Sequence, residues 1–230
     1  MILLKNKLPH NMAKTNLYFV PGMAANSKIF ENLSLDTELF NCYFLEWKIP
    51  TSEEESLSDY ARRMCEEIIH ENPVLIGVSF GGVIVQEMSK LIKTQKIIII
   101  SSIKMNCELP KRLKIVQQTK IYNLFPSKFL ENFENYVQFF IGDRQSKKLE
   151  AYQKYLSFRN QAYLHWAIHS LLHWEQETPI NNLVHIHGTK DEIFPIKHIQ
   201  GCISVESGTH AMVLTKAKKI SLLIAKSLIC

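Results

Sequence analysis

The chain has 230 residues, 46% of them apolar, and a formal charge of +5. That length holds one domain with a large core and falls short of two full ones. The charge is spread along the chain, with denser spots at residues 111–114 and 216–219 on expected helix surfaces. A nucleic-acid-binding face would gather it beside exposed aromatics, so no nucleic-acid partner is expected. The cysteines, Cys42, Cys65, Cys107, Cys202 and Cys230, are odd in number and scattered without C-x-x-C spacing, which argues against a disulfide framework or a zinc site. The first apolar run stops after residue 4 and is followed by lysines and Pro9, too short for a signal peptide or a membrane span. A cytoplasmic protein is expected.

Residues 1–15 show no periodicity and read as an arm. Residues 17–20 form a short apolar run stopped by Pro21-Gly22, the pattern of a buried parallel strand leading into a loop. Asn26 or Ser27 is placed to cap a short helix over 28–32, and 41–47 supplies a second strand. Ser56 or Ser58 caps a helix running to His70, with Leu57, Tyr60, Ala61, Met64, Cys65, Ile68 and Ile69 on one stripe. Asn72-Pro73 breaks it. An apolar strand over 74–78 ends abruptly at Ser79, a helix follows through 83–88, and 96–101 is a strand buried on both faces. This β, α, β, α, β, α, β order predicts parallel strands joined by right-handed crossovers. The fold class is α/β, a three-layer domain whose ligand sits at the carboxyl ends of the strands.

From residue 103 to about 178 the rhythm changes to helical segments rich in aromatics, at 110–124, 126–141, 146–158 and 160–174. They read as an inserted helical cap, leaving 1–102 and 179–230 as the core. Among the cap aromatics, Phe125, Phe129, Phe133, Tyr136, Phe139, Phe140 and Trp166 are expected to be mostly core, with some roofing the pocket. The sheet resumes with a strand at 183–187, an exit loop at 188–191 and a short strand at 202–205. An amphipathic helix over 211–228 closes the chain.

The chemistry centres on Gly77, Ser79 and Gly81, a G-x-S-x-G pattern between strand and helix. Such a turn raises a serine hydroxyl above the sheet, and small neighbours let the backbones approach. Ser79 as an ordinary turn serine is the competing reading, and the strand-turn-helix context weighs against it. A serine needs a base to take its proton, and a buried carboxylate to orient that base. Asp191 and His210 each follow a strand of the same parallel sheet, so they share its carboxyl edge with Ser79, in the chain order Ser, Asp, His. Glu192 stands beside Asp191 as an alternative acid. His198 precedes the last strand and does not fit as the base. His165, His169 and His173 recur at helical spacing, but no carboxylate or cysteine joins them at ligand spacing, so no metal is expected.

Three motifs together resemble the α/β-hydrolase family from about residue 17 onward: the elbow at 77–82, His187-Gly188-x-x-Asp191 with Pro195, and Gly208-Thr209-His210. The resemblance implies Ser79 as nucleophile, Asp191 as acid and His210 as base, with no cofactor. It also implies an oxyanion hole made by the amides of Phe80 and Met23. Pro21-Gly22 stands where the family more often has His-Gly. Residues 1–15 leave little room for the family's first two antiparallel strands, so a sheet trimmed at that edge is expected. The implied activity is hydrolysis of a small-molecule ester or thioester through an acyl-enzyme. The same triad also serves C–C hydrolase, lyase and acyltransferase chemistry, and a non-catalytic binding module could keep the pocket.

Overall fold

The computed structural model describes residues 13–119 and 154–229. Six strands form one sheet: β1 (Thr15–Val20), β2 (Phe40–Phe44), β3 (Val74–Val78), β4 (Lys96–Ile100), β5 (Leu183–Gly188) and β6 (Ile203–Val205). Their spatial order is β2-β1-β3-β4-β5-β6 and every neighbouring pair is parallel. The described sheet begins with the parallel strands, and the expected trimming at its N-terminal edge concerns residues that lie outside the described part.

Alternation along the strands divides the interior in two. Leu17 and Phe19 of β1, with Ile98 and Ile100 of β4, face one core, which Ile29 and Phe30 and the C-terminal helices cover. Tyr18 and Val20, with Ile97 and Ile99, face the other, under the helices α1 (Leu57–Cys65) and α2 (Phe80–Ser89). A strand buried on both faces has no polar alternation, which is why the Ile97-to-Ile100 run is uniformly apolar. Two further helices, α3 (Lys111–Thr119) and α4 (Gln161–Leu172), lie on the α2 side. The Asn160 side chain caps α4 by accepting from the Tyr163 amide.

Several expected boundaries move. The stripe ending in Ile68 and Ile69 is too long: α1, capped by Ser56, stops at Cys65, and Ile69 is exposed. There the Tyr18 hydroxyl accepts from the Ile69 amide and bonds His70 Nδ1, and these tertiary bonds displace another helical turn. The segment after Asn26 is a 3-10 turn, Ser27–Phe30. The second strand ends at Phe44, short of Trp47. The closing helix is two helices, α5 (Met212–Thr215) and α6 (Ala217–Ile229), broken at Lys216. The break lets Val213 line the cavity beside His210, while Ala217, Ile220 and Ile224 stay buried farther along. Of the segments expected to form a cap, the helix at 126–141 lies outside the described residues, and 154–158, the described end of the 146–158 segment, is not helical.

Candidate active site

Ser79 is the N-cap of α2, with φ 53° and ψ −121°, a positive-φ backbone that costs a non-glycine residue of order 1–3 kcal/mol. A serine in this N-cap position ordinarily accepts a bond from the helix amides; Ser79 makes no such side-chain cap. The turn is held by the Ser79 amide, which donates to the Ile100 carbonyl at 3.0 Å, and by the Ser102 hydroxyl, which donates to the Ser79 carbonyl at 2.7 Å. A Cβ on Gly77 would overlap the Gly81 carbonyl, so the return of the chain over β3 requires glycine there.

The freed hydroxyl meets a base. His210 Nε2 is 2.9 Å from Ser79 Oγ, and His210 Nδ1 is 2.9 Å from Asp191 Oδ2 and 3.2 Å from Oδ1. An ionised carboxylate only accepts, so Nδ1 carries the proton and Nε2 is left to accept from the serine. Asp191 is buried, and its Oδ1 also accepts from the amides of Ile193 and Phe194, both at 2.9 Å. Burial opposes its ionisation. His210, its hydrogen bond and His187 outweigh that and hold the carboxyl below its ordinary value. Glu192, the alternative acid, is exposed. His198 lies in the 3-10 turn Ile196–His198, away from this relay.

The acid and base loops are fastened to each other. The Lys190 amide donates to the Gly208 carbonyl at 2.8 Å, and the Ser207 amide to Thr189 Oγ1 at 2.8 Å. A Cβ on Gly188 would overlap the Gly208 carbonyl, so glycine at 188 permits the contact.

Of the expected oxyanion donors, Phe80 is the first residue of α2, where an amide has no intrahelical acceptor and the helix dipole favours negative charge. Met23 lines the same cavity as Ser79 and His210, and a Cβ built on Gly22 would lie 3.6 Å from that of Ser79. The cavity, about 90 Å³, is otherwise apolar among the described residues, with Leu113, Leu171, Ile193, Phe194, Val213 and Leu214 in its wall. Its lining draws on both cores, so apolar surface reaches Ser79 from both faces of the sheet.

Of the histidine stripe, His169 and His173 stack with ring centroids 4.2 Å apart. Among the described residues no group of three or more metal-binding side chains comes together. Ser102 and Trp47 touch the site and belong to none of the sequence motifs, and His187, which opens the acid motif, has no role of its own assigned there. Ser102 had a usable signal, since it follows the end of β4 on the sheet edge where Ser79 lies.

No family model and no curated protein matches the chain. Solved structures do. It is similar to a lipase-esterase related protein from Clostridium acetobutylicum, at 19% identity and a TM-score of 0.63, covering 93% of this chain and 94% of that one. It is similar to MenH from S. aureus, at 14% identity and 0.67 over 95% of each chain. It is also similar to a bromoperoxidase from Bacillus anthracis, at 15% and 0.65 over 94% of this chain and 92% of that one. Near-complete coverage at such low identity speaks to architecture alone, and the architecture is plain: this chain has the α/β-hydrolase fold.

Proposed function

We propose that the protein is a serine hydrolase that cleaves a carboxylic ester or thioester through an acyl-enzyme. The observation that carries this reading is the relay from Ser79 Oγ through His210 to buried Asp191, at a strained elbow opening on an apolar cavity. Ser79 Oγ adds to the carbonyl carbon as its proton passes to His210 Nε2, and the carbonyl oxygen becomes an oxyanion held by the Phe80 and Met23 amides. Collapse of the adduct breaks the bond to the alcohol or thiol, which leaves with the proton from His210. Water, deprotonated by the same histidine, then attacks the acyl-enzyme, and the acid departs as Ser79 regains its proton.

The apolar wall supports an uncharged acyl group as the part of the substrate that enters the cavity. Turnover of p-nitrophenyl butyrate by the wild type and by Ser79→Ala tests the proposal. Loss of several powers of ten in kcat is expected, and undiminished turnover in the variant would refute it.

A further inference from the structure

Trp47 lies just beyond the end of β2, is buried, and donates its indole Nε1–H to the Gly22 carbonyl at 2.9 Å. The Ala25 amide donates to the same carbonyl at 3.0 Å. In a planar trans peptide the carbonyl of one residue and the N–H of the next lie in one plane and point in opposite directions. Fixing the Gly22 carbonyl therefore fixes the direction of the Met23 N–H. The same indole lies against the Phe80 ring, with centroids 5.6 Å apart and planes 28° apart. One side chain thus touches the peptide that carries the Met23 amide and the ring of Phe80.

The indole is itself held. Its ring meets Tyr163 of α4 at 5.3 Å and Tyr60 of α1 at 6.4 Å. The next residue is tied to α1, with the Lys48 amide donating to the Tyr60 hydroxyl at 2.9 Å and that hydroxyl donating to the Lys48 carbonyl at 2.8 Å. A tryptophan needed only for packing would be expected to turn its N–H to any nearby acceptor. Here the acceptor is the peptide that precedes Met23.

We propose that Trp47 is a positioning residue for the oxyanion hole, aligning the Met23 amide through the Gly22 carbonyl and bracing Phe80 through its ring. This rests on the reading of Met23 and Phe80 given under the proposed function. Its energetic signature is specific: a group that aligns oxyanion donors acts on the charged adduct and little on the bound ester.

The test compares wild type with Trp47→Phe, which keeps a ring and removes the donor, using p-nitrophenyl butyrate and an alkyl trifluoromethyl ketone. Ser79 Oγ adds to the ketone carbon to form a hemiketal, its proton passes to His210, and the ketone oxygen takes up the charge. In Trp47→Phe the inhibition constant should rise and kcat should fall about ten-fold each, with KM within about two-fold. Replacement of Trp47 by benzothienylalanine, which has the same shape without the N–H, should give the same shift and decides the matter if the phenylalanine variant folds poorly. Unchanged kcat and ketone affinity in the isostere would overturn the proposal and leave Trp47 a packing residue. Failure of the wild type to turn over the ester or bind the ketone would instead strike the proposed function.

Discussion

His185 and His187 project from the same side of β5, and their rings are joined by a 3.0 Å hydrogen bond from His185 Nε2 to His187 Nδ1. The other nitrogen of His187 sets the direction. Its Nε2 is 2.8 Å from the Phe194 carbonyl, which only accepts, so Nε2 bears the proton and Nδ1 accepts from His185. Nε2 also lies 3.6 Å from Asp191 Oδ2, so a neutral, directed imidazole stands behind the acid of the relay. Among the described residues His185 Nδ1 makes no hydrogen bond.

Both imidazoles are driven toward the neutral form. Burial, then His187 and Lys104, pushes His185 down to about 2, and burial lowers His187 against the opposing pull of Asp191. The Ser102 backbone, which favours a proton on His185, and Glu108, His210 and the Phe194 carbonyl are the other groups facing the pair. Below its ordinary value of about 6.5, His185 takes up a proton in the unfolded chain but not in the folded one, so stability falls as the pH drops from that value. At pH 4.5 the loss from His185 is about 2–3 kcal/mol. Asp191, lowered from its ordinary value, adds to the decline at more acid pH. Urea unfolding of His185→Gln, which keeps a donor and does not titrate, should show a shallower decline between pH 6.5 and 4.5. A slope equal to wild type would contradict this account.

The strain at Ser79 predicts a trade between stability and activity. Glycine adopts the φ of 53° found there without penalty. Ser79→Gly should therefore be inactive yet more stable than Ser79→Ala by about 1 kcal/mol, read from denaturant midpoints. Equal stability of the two variants would mean that the turn is not strained.

The apolar cavity wall predicts discrimination against charge. A carboxylate on the acyl chain would enter a wall that, among the described residues, offers no lysine or arginine as a partner. The ratio of kcat/KM for p-nitrophenyl butyrate over p-nitrophenyl hemisuccinate should exceed about 100. Leu214→Arg, at a half-buried wall position, should shrink that ratio at least ten-fold. A wild-type ratio near one would place a cation in the pocket.

Close approach of Gly188 to Gly208 couples the acid loop to the base loop. Gly188→Ala should force them apart, costing about 2–3 kcal/mol of stability and at least ten-fold in kcat. Retention of wild-type kcat and melting temperature would show that the loops do not depend on this contact.

Much of the fold was legible because a parallel sheet writes itself as uninterrupted apolar runs: 17–20, 74–78 and 96–101 all correspond to strands. Ser79, Asp191 and His210 were legible for a related reason, since each follows a strand and all strands point one way. Less legible was whatever depends on tertiary contacts. Ile68 and Ile69 continue a helical stripe by spacing, yet Tyr18 captures the Ile69 amide and ends the helix. Periodicity over 211–228 runs on through Lys216 with no glycine or proline to mark the break. Trp47 could not be tied to the Gly22 carbonyl by any pattern, because the bond joins two loops that only the assembled sheet brings together.

The central claim is that Ser79 is a nucleophile activated by His210, and the most direct measurement is where a fluorophosphonate reacts. Peptide mass spectrometry of the labelled wild-type protein should find the phosphonyl group on Ser79, with labelling slowed by at least 100-fold in His210→Ala. A phosphonyl group on another residue, none at all, or equally fast labelling without His210 would contradict it.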